Sequence, residues 1–437
     1  MEKEKVLIIG AGASGLMAAR ILKQKNIPFT ILEATDRIGG RALTQEGSVP
    51  IEFGPEYLHG ETPLTDALME EFQLAWYDLE FKFQLYQEGK LRPLPDFWQR
   101  LCGVLKDIKV SEDIPFSEYL ATLDNHSQFD QKLARSFVQG FDAADLSLMS
   151  SLSLSEMKDQ ACESSMRKLR RPLGGYGVLM RKLAEDLERE IWYAHTVEEI
   201  EWGKGEVIVR GYAGEGRVPF EHVCEKIIVT SSIGVLKTIR IHPMPEELNG
   251  FLGQTEMGQV VKLVAEMRPE FFHIFDDHNF PFVAAPDLCF TAWWTTTPLH
   301  TYTITAWAGG EKARKLEVKT VEERKQLFIQ ELASITGLCP TKITSWIKVI
   351  HQHDWGKDPA FLGAYSYPRV VSDKRVKATT NFEDTLFFAG EAFHEEFSGT
   401  MEGAFVTGRD AAQELFESED HLERTEKENT SIPPYTT

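Results

Sequence analysis

The residues with the clearest chemical potential stand at the start of the chain, in "KVLIIGAGASGLMAARIL". Gly10, Gly12 and Gly15 keep a G-x-G-x-x-G spacing after a short apolar run and before a helical stretch with Leu16, Ala19 and Leu22 on one face. Gly10 permits a tight turn, Gly12 lets backbone approach a diphosphate, and Gly15 lets the helix sit close to the strand. The helix start then offers free N–H groups and the positive end of its dipole to phosphate oxygens. "FTILE" reads as a second strand ending at Glu33, about 20 residues on, where a carboxylate accepts from ribose hydroxyls. The chemistry this predicts is binding of a dinucleotide. In "ATDRIGGRALT", Gly39 and Gly40 bring the chain near the same diphosphate and Arg41 neutralises it. Simple NAD dehydrogenases do not need that second glycine pair, so it tilts the cofactor toward FAD.

The other chemical oddity is a lysine in "MGQVVKLVAEM". Val260, Val261, Leu263, Val264 and Ala265 form the apolar run of a strand covered on both faces. Alternation puts Lys262 on the face of Val260 and Val264. An ammonium there must be solvated, paired, or lowered in pKa by desolvation. The ordinary solution is an apolar stem with its head in water.

These residues need elements to hold them. "IEFGPEYLHG" gives an extended segment entering a glycine turn, with Glu56 and His59 close by. Residues 76–164 read as helical and loop-rich, and "RRPLGGYGVLMRKLAEDLERE" as a Gly-Gly turn feeding an amphipathic helix. "TVEEIEW", "EVIVRGY" and "KIIVTSSIGVLK" read as three strands; strands and helices alternate over 241–377. "LFFAG" is a strand ending in glycine, and "GTMEGAFVTGRDAAQELF" a final helix. From 418 the chain is charged and lacks apolar periodicity, which predicts a disordered tail. The fold class expected is α/β. A Rossmann-like FAD-binding domain (1–75, 165–245, 378–417) carries an inserted α+β substrate domain (76–164, 246–377).

A chain of 437 residues allows two domains and a substantial core. A net charge of −20 argues against nucleic acid or an anionic membrane as partner. The five cysteines are scattered and form no CxxC pair, which fits a reduced chain without structural zinc or other metal. A strand and glycine turn begin within ten residues of Met1, and no apolar stretch nears the ~20 residues of a membrane span. The expectation is a cytoplasmic protein.

The ordered set of these segments, together with "HDWGKDPAFLGAYSYPR" and "FFAGEAFHEEFSGTMEGAFVTGRDAA", resembles the flavin-containing amine oxidases: monoamine oxidase, polyamine and spermine oxidases, and the lysine-specific histone demethylase. The likeness runs from about residue 5 to about 416. It implies a "GR2-type" FAD domain and an FAD-dependent oxidase of a primary or secondary amine, mono- or polyamine. Hydride equivalents pass to flavin N5, and O2 yields H2O2. Laid on this chain, Lys262 matches the lysine that reaches a water bridged to N5, Trp355 a tryptophan beside the flavin, and Tyr365 one wall of an aromatic cage. His59 falls on the substrate path. Val197 meets the adenine through its backbone, Glu391 contacts the ribityl chain, and Thr400 and Met401 open the helix facing the flavin. The same motifs assign Ala13, Ser14, Ala34, Arg37, Gly54, Pro55, Glu56, Tyr57 and Gly390 to the cofactor.

Departures from the resemblance also carry meaning. The residue before Tyr365 is Ala364, where monoamine oxidase attaches flavin through cysteine, so FAD is expected to be non-covalent. The second cage tyrosine is replaced by Thr400, and "EYLHG" lacks the arginine that L-amino-acid oxidases use for a carboxylate. Two rival readings are a flavin dehydrogenase or desaturase of a non-amine substrate and a flavin-bearing scaffold with vestigial activity. The physiological amine, the electron acceptor and the oligomeric state, a homodimer included, are left open.

Overall fold

The computed structural model describes residues 4–47, 49–79, 81–162, 168–275, 280–372 and 374–430, the side chains of 157–162 and 418–430 excepted. The chain divides into two compact units. The first comprises Met1–Gly40, Leu179–Phe251 and Lys377–Thr437; the second Arg41–Val178 and Leu252–Val376. The second unit so includes 41–75 and 168–178, segments the sequence assigns to the cofactor domain. The cause is strand pairing: Leu58–His59 and Trp76–Leu79 both pair with Leu169–Pro172, tying those segments to one another.

In the first unit, Glu4–Ile9, Phe29–Leu32 and Ile191–Trp192 run parallel, and Glu4–Ile9 also pairs with Val218–Val229. The strand Val218–Val229 does two jobs. Its first half pairs antiparallel with Glu206–Ala213, and its end runs parallel to both Glu4–Ile9 and Leu386–Phe388. Val6, Leu7, Ile8, Ile227, Ile228 and Phe387 are fully buried, as a parallel sheet covered on both faces requires. The helix Ala13–Gln24 links the first two strands, completing the βαβ unit expected from the glycines. The last helix passes close to its first turn. A Cβ at Gly408 would lie 2.2 Å from the Ser14 carbonyl oxygen, so only glycine fits there. That helix runs Met401–Thr430, past the position where disorder was expected to begin. Its Glu, Lys and Arg content favours helix without an apolar face. Residues 431–437 lie outside the described residues.

The second unit centres on a seven-stranded sheet in the order Ile347–His353, Val260–Met267, Thr303–Gly309, Ala292–Trp294, Phe282–Ala284, Phe83–Gln87 and Lys90–Pro93. The stretch from 76 therefore opens with three strands before it turns helical, where loops and helices were expected. In "FKFQLY" the side chains alternate, and Leu85 and Tyr86 are buried against different clusters. Aromatic-rich alternation favours the strand over the helix. The helix Val321–Thr336 starts at a capping box between Thr320 and Glu323 and ends at Gly337 with φ +70°. No described helix is long and apolar enough to cross a membrane. Cys102 is disulfide-bonded, contrary to the all-reduced expectation, while Cys224, Cys289 and Cys339 are free.

Candidate active site

The strand Val260–Met267 carries Lys262 between two antiparallel neighbours, opposite Trp307 and His353. Its side chain is only 2% exposed, so the bland solution of a head in water does not apply. The ammonium donates to the Gly54 carbonyl at 3.2 Å and pairs with Glu56 Oε1 at 2.6 Å. An ammonium has three donors, and these partners use two. Trp355, also buried, donates from Nε1 to the Phe53 carbonyl at 3.0 Å. Consecutive carbonyls of "EFGPE" thus receive the indole and the ammonium, and fix both side chains against one stretch of backbone. A Cβ at Gly54 would lie 1.9 Å from the Arg41 carbonyl oxygen, so the turn requires glycine there.

Behind Lys262 lies a buried charge cluster. Glu56 Oε2 accepts from Trp294 Nε1 at 2.9 Å and faces Arg171 at 3.7 Å. Burial works to raise the Glu56 carboxyl, but Lys262 and Arg171 outweigh it and hold it at about 2. Burial pulls the Lys262 ammonium down, with Glu56 opposing. Glu52 accepts from the Tyr176 N–H at 2.6 Å and Thr44 Oγ1 at 2.9 Å, yet burial lifts its carboxyl to about 7 against Lys262.

Tyr365 is locked from both sides. The Ala364 N–H donates to the Gly258 carbonyl, the Gly258 N–H donates to the Tyr365 carbonyl, and the Tyr365 hydroxyl donates to the Phe141 carbonyl at 2.7 Å. The Phe141 ring stands edge-on to His59 at 5.3 Å, and His59 in turn to Tyr57 at 6.0 Å. Desolvation drives His59 down to about 4, which makes it a neutral imidazole near neutral pH. Next to Phe141, Asp142 is lifted by burial alone to about 7. Its carboxylate has no hydrogen-bond or ion-pair partner among the described residues.

The first unit carries the dinucleotide motif in the expected form. Gly10 has φ +100°, and a Cβ at Gly15 would lie 1.9 Å from the Gly10 carbonyl oxygen. Gly12 begins the helix without a side-chain cap, and a Cβ there would meet only Gly40 Cα at 3.9 Å. Gly12 bridges Gly39, whose N–H donates to the Ala11 carbonyl, so the second glycine turn is seated on the first. Glu33 accepts from the Ala11 N–H at 2.7 Å and from Thr35. Arg37 donates to the Gly40 carbonyl at 2.7 Å, which shapes that turn. Val197 is buried at a strand irregularity, and Ala34 is exposed beyond Glu33. Gly390 has φ +145°, and Glu391 accepts from the Gly399 N–H at 3.1 Å. Thr400 caps the last helix: its hydroxyl accepts from the Gly403 N–H at 3.0 Å, with Met401 as the first helical residue.

The sequence pattern described as flavin containing amine oxidoreductase matches residues 13–416. The chain belongs to the flavin-containing amine oxidoreductases. It is an FAD-dependent oxidoreductase acting on amines. It is 26% identical to probable polyamine oxidase 4 of Arabidopsis thaliana, over 93% of this chain and 86% of that protein. Its fold is similar to that of putrescine oxidase bound to putrescine, with a TM-score of 0.79, 19% identity, and coverage of 95% of this chain and 99% of that one. It is equally similar in fold to cyclohexylamine oxidase from Brevibacterium oxydans, with a TM-score of 0.80, 20% identity, and coverage of 96% and 100%.

The residues of this amine oxidoreductase fit FAD. Ser14 Oγ is buried at the helix start with no hydrogen-bond partner, as a hydroxyl awaiting a phosphate oxygen would be. Glu33 keeps lone pairs beyond those used by Ala11 and Thr35. Arg41 donates to the Ala364 carbonyl at 2.8 Å, and the Glu56 carboxylate is engaged by Lys262 and Trp294. Sequence reasoning missed Glu52, Arg171, Trp294 and Asp142. Glu52 had a signal, since a carboxylate in "PIEF" is as anomalous as a lysine in "VVKLV". Asp142 had none, because it ends an ordinary amphipathic helix.

Proposed function

We propose that the chain is an oxidase of an amine carrying a second cationic nitrogen, a diamine or polyamine. The net reaction turns amine, O2 and water into aldehyde, the released nitrogen base and H2O2. FAD, bound without a covalent link because Ala364 precedes Tyr365, supplies two-electron chemistry by accepting a hydride equivalent from the amine α-carbon and passing the electrons to O2. Ala13, Ser14 and Gly15 would hold its diphosphate with helix N–H groups, and Glu33 its ribose. Gly40, Gly54, Pro55, Tyr57, Val197, Gly390, Glu391, Thr400 and Met401 would contact the rest of it.

The observation that carries this reading is the anchoring of Lys262 and Trp355 on consecutive carbonyls. It presents a fixed positive charge and an aromatic plane together. Lys262 would hold a water with its third N–H and place positive charge where O2 gains electrons. Tyr365 would face the reacting nitrogen with its ring, drawing the amine in through the ring's negative face and orienting it. His59, being neutral, adds no repulsion to an incoming cation. Asp142, a half-buried carboxylate beside the Tyr365–Phe141 bond, would accept the second ammonium. The chain's acidity favours cationic amines generally.

The test is to precipitate the purified protein with acid, look for flavin in the supernatant, and screen mono-, di- and polyamines for peroxide. Free flavin and peroxide from diamines are the expected results. A purified flavoprotein that no amine bleaches under nitrogen would sink the reading and favour a scaffold.

A further inference from the structure

Glu56 and Lys262 are 3% and 2% exposed and 2.6 Å apart. Each is costly to bury alone, and removing one partner leaves the other uncompensated. We propose that Glu56 is a positioning residue: it keeps Lys262 protonated and aims the third N–H of that ammonium away from Gly54 and Glu56, toward the reacting atoms. The proposal rests on the functional reading of Lys262 given above. It assigns Glu56 to the lysine instead of to the cofactor.

The geometry leaves Glu56 little freedom. One oxygen accepts from Lys262, and the other from Trp294 at 2.9 Å with Arg171 at 3.7 Å. Trp294 is held in turn by Phe282, stacked on it at 6.0 Å. A carboxylate fixed at both oxygens fixes the lysine head with it. The charged groups facing Lys262 come from every element around it. They are Glu52 from Ile51–Glu52, Glu56 from the following turn, and Arg171 from Leu169–Pro172. On the neighbouring strand His353 stands opposite Lys262 and pairs with Asp358 at 3.1 Å. Tyr57 and Tyr77 join the cluster through Glu56 and Arg171, and burial keeps both phenols protonated. Glu56 is thus the single carboxylate within ion-pair distance of the ammonium among the described residues. Without it burial, with Arg171 adding to it, pushes Lys262 toward the neutral amine, and Glu52 is left to oppose them.

Four proteins test this: wild type, Glu56→Gln, Lys262→Met, and the double variant, each as FAD holoenzyme. The flavin is reduced by light under nitrogen, mixed with O2, and its reoxidation rate constant followed from pH 6 to pH 9, so that no amine turnover is needed. Wild type should be flat. Glu56→Gln should lose roughly tenfold as pH rises and the lysine deprotonates, while Glu56→Asp restores part of the profile. In the Lys262→Met background, Glu56→Gln should change the rate constant by less than about twofold. Melting temperatures give a second readout that does not use the flavin reaction. Lys262→Met and Glu56→Gln should each lower the melting temperature, and the double variant should lose less than the two single losses together. Equal rate losses in both backgrounds, or melting-temperature losses that simply add in the double variant, would overturn the proposal. Failure of the amine screen with an intact cycle would instead remove the amine reading and leave the pairing.

Discussion

Replacing Glu52 by glutamine should stabilise the protein, and more so as the solution becomes alkaline. Glu52 is 1% exposed, and its carboxyl is lifted from 4.5 to about 7, chiefly by burial. A carboxyl raised on folding binds its proton more tightly in the native chain than in the unfolded one. The native state is therefore not disfavoured below pH 4.5, and stability is lost as pH rises toward 7. At about 1.4 kcal/mol per pH unit, the full effect is about 3 kcal/mol, of which about 2.5 kcal/mol develops between pH 5 and pH 8. Glutamine keeps the shape. Its carbonyl oxygen can accept from the Tyr176 N–H, and its amide can donate to Thr44 Oγ1, the two present partners. Gly175 closes over the site, since a Cβ there would lie 2.1 Å from Glu52 Oε1, so water has no easy route to replace the lost charge. Urea unfolding of wild type and Glu52→Gln at pH 5, 6, 7 and 8 reads the difference directly. The gap between the two should widen by roughly 2–3 kcal/mol over that range. Two curves that stay parallel within about 0.5 kcal/mol would refute the reasoning, because they would mean that Glu52 ionises as it does in water.

Lys262→Met should keep FAD and slow turnover or flavin reoxidation by roughly tenfold or more; unchanged rate constants in stopped flow would remove its assigned role. Asp142→Asn should raise KM for a diamine by roughly tenfold while leaving the matching monoamine within about twofold. Because Asp142 is lifted to about 7, the preference of wild type for the diamine should grow as pH rises past that value, and the variant should lack this growth. Trp355→Phe removes the donor to the Phe53 carbonyl and should cost about 1–3 kcal/mol in urea unfolding. Gly15→Ala drives a Cβ to 1.9 Å from the Gly10 carbonyl oxygen, so the purified protein should lose its visible flavin absorbance.

What could be read from the sequence follows from how local each signal is. The βαβ unit was legible because strand, glycines, helix and Glu33 are consecutive, and each has one physical reason for its type. The buried strand around Lys262 was legible from its apolar run. The partner of Lys262 was not, because Glu56 lies some 200 positions away and is brought near by tertiary packing alone. Arg171 and Trp294 are hidden for the same reason: an ion pair or an indole hydrogen bond leaves no spacing pattern along the chain. The strands at 76–93 were missed because an aromatic run was weighed as loop content when its alternation was the stronger signal. The pairing that holds 58–60 and 168–170 together joins partners 110 residues apart and has no local signal either.

The parallel sheet of the first unit also sets the order in which the chain can mature during synthesis. Its strand Leu386–Phe388 pairs with Ile227, Ile228 and Val229 but is made almost last. Until it leaves the ribosome, the nascent sheet shows an open row of N–H and C=O groups along 227–229, although its first strands were made hundreds of residues earlier. Such an edge is a template for pairing with another chain. The second unit, whose strands are complete by Ser366–Pro368, can close before that happens. A chain released from the ribosome after Val376 but before Leu386 should therefore hold a finished second unit and an adhesive first one. Truncations that stop short of Phe388 should be lost to aggregation, with the glycine turn and Glu33 intact but never sealed.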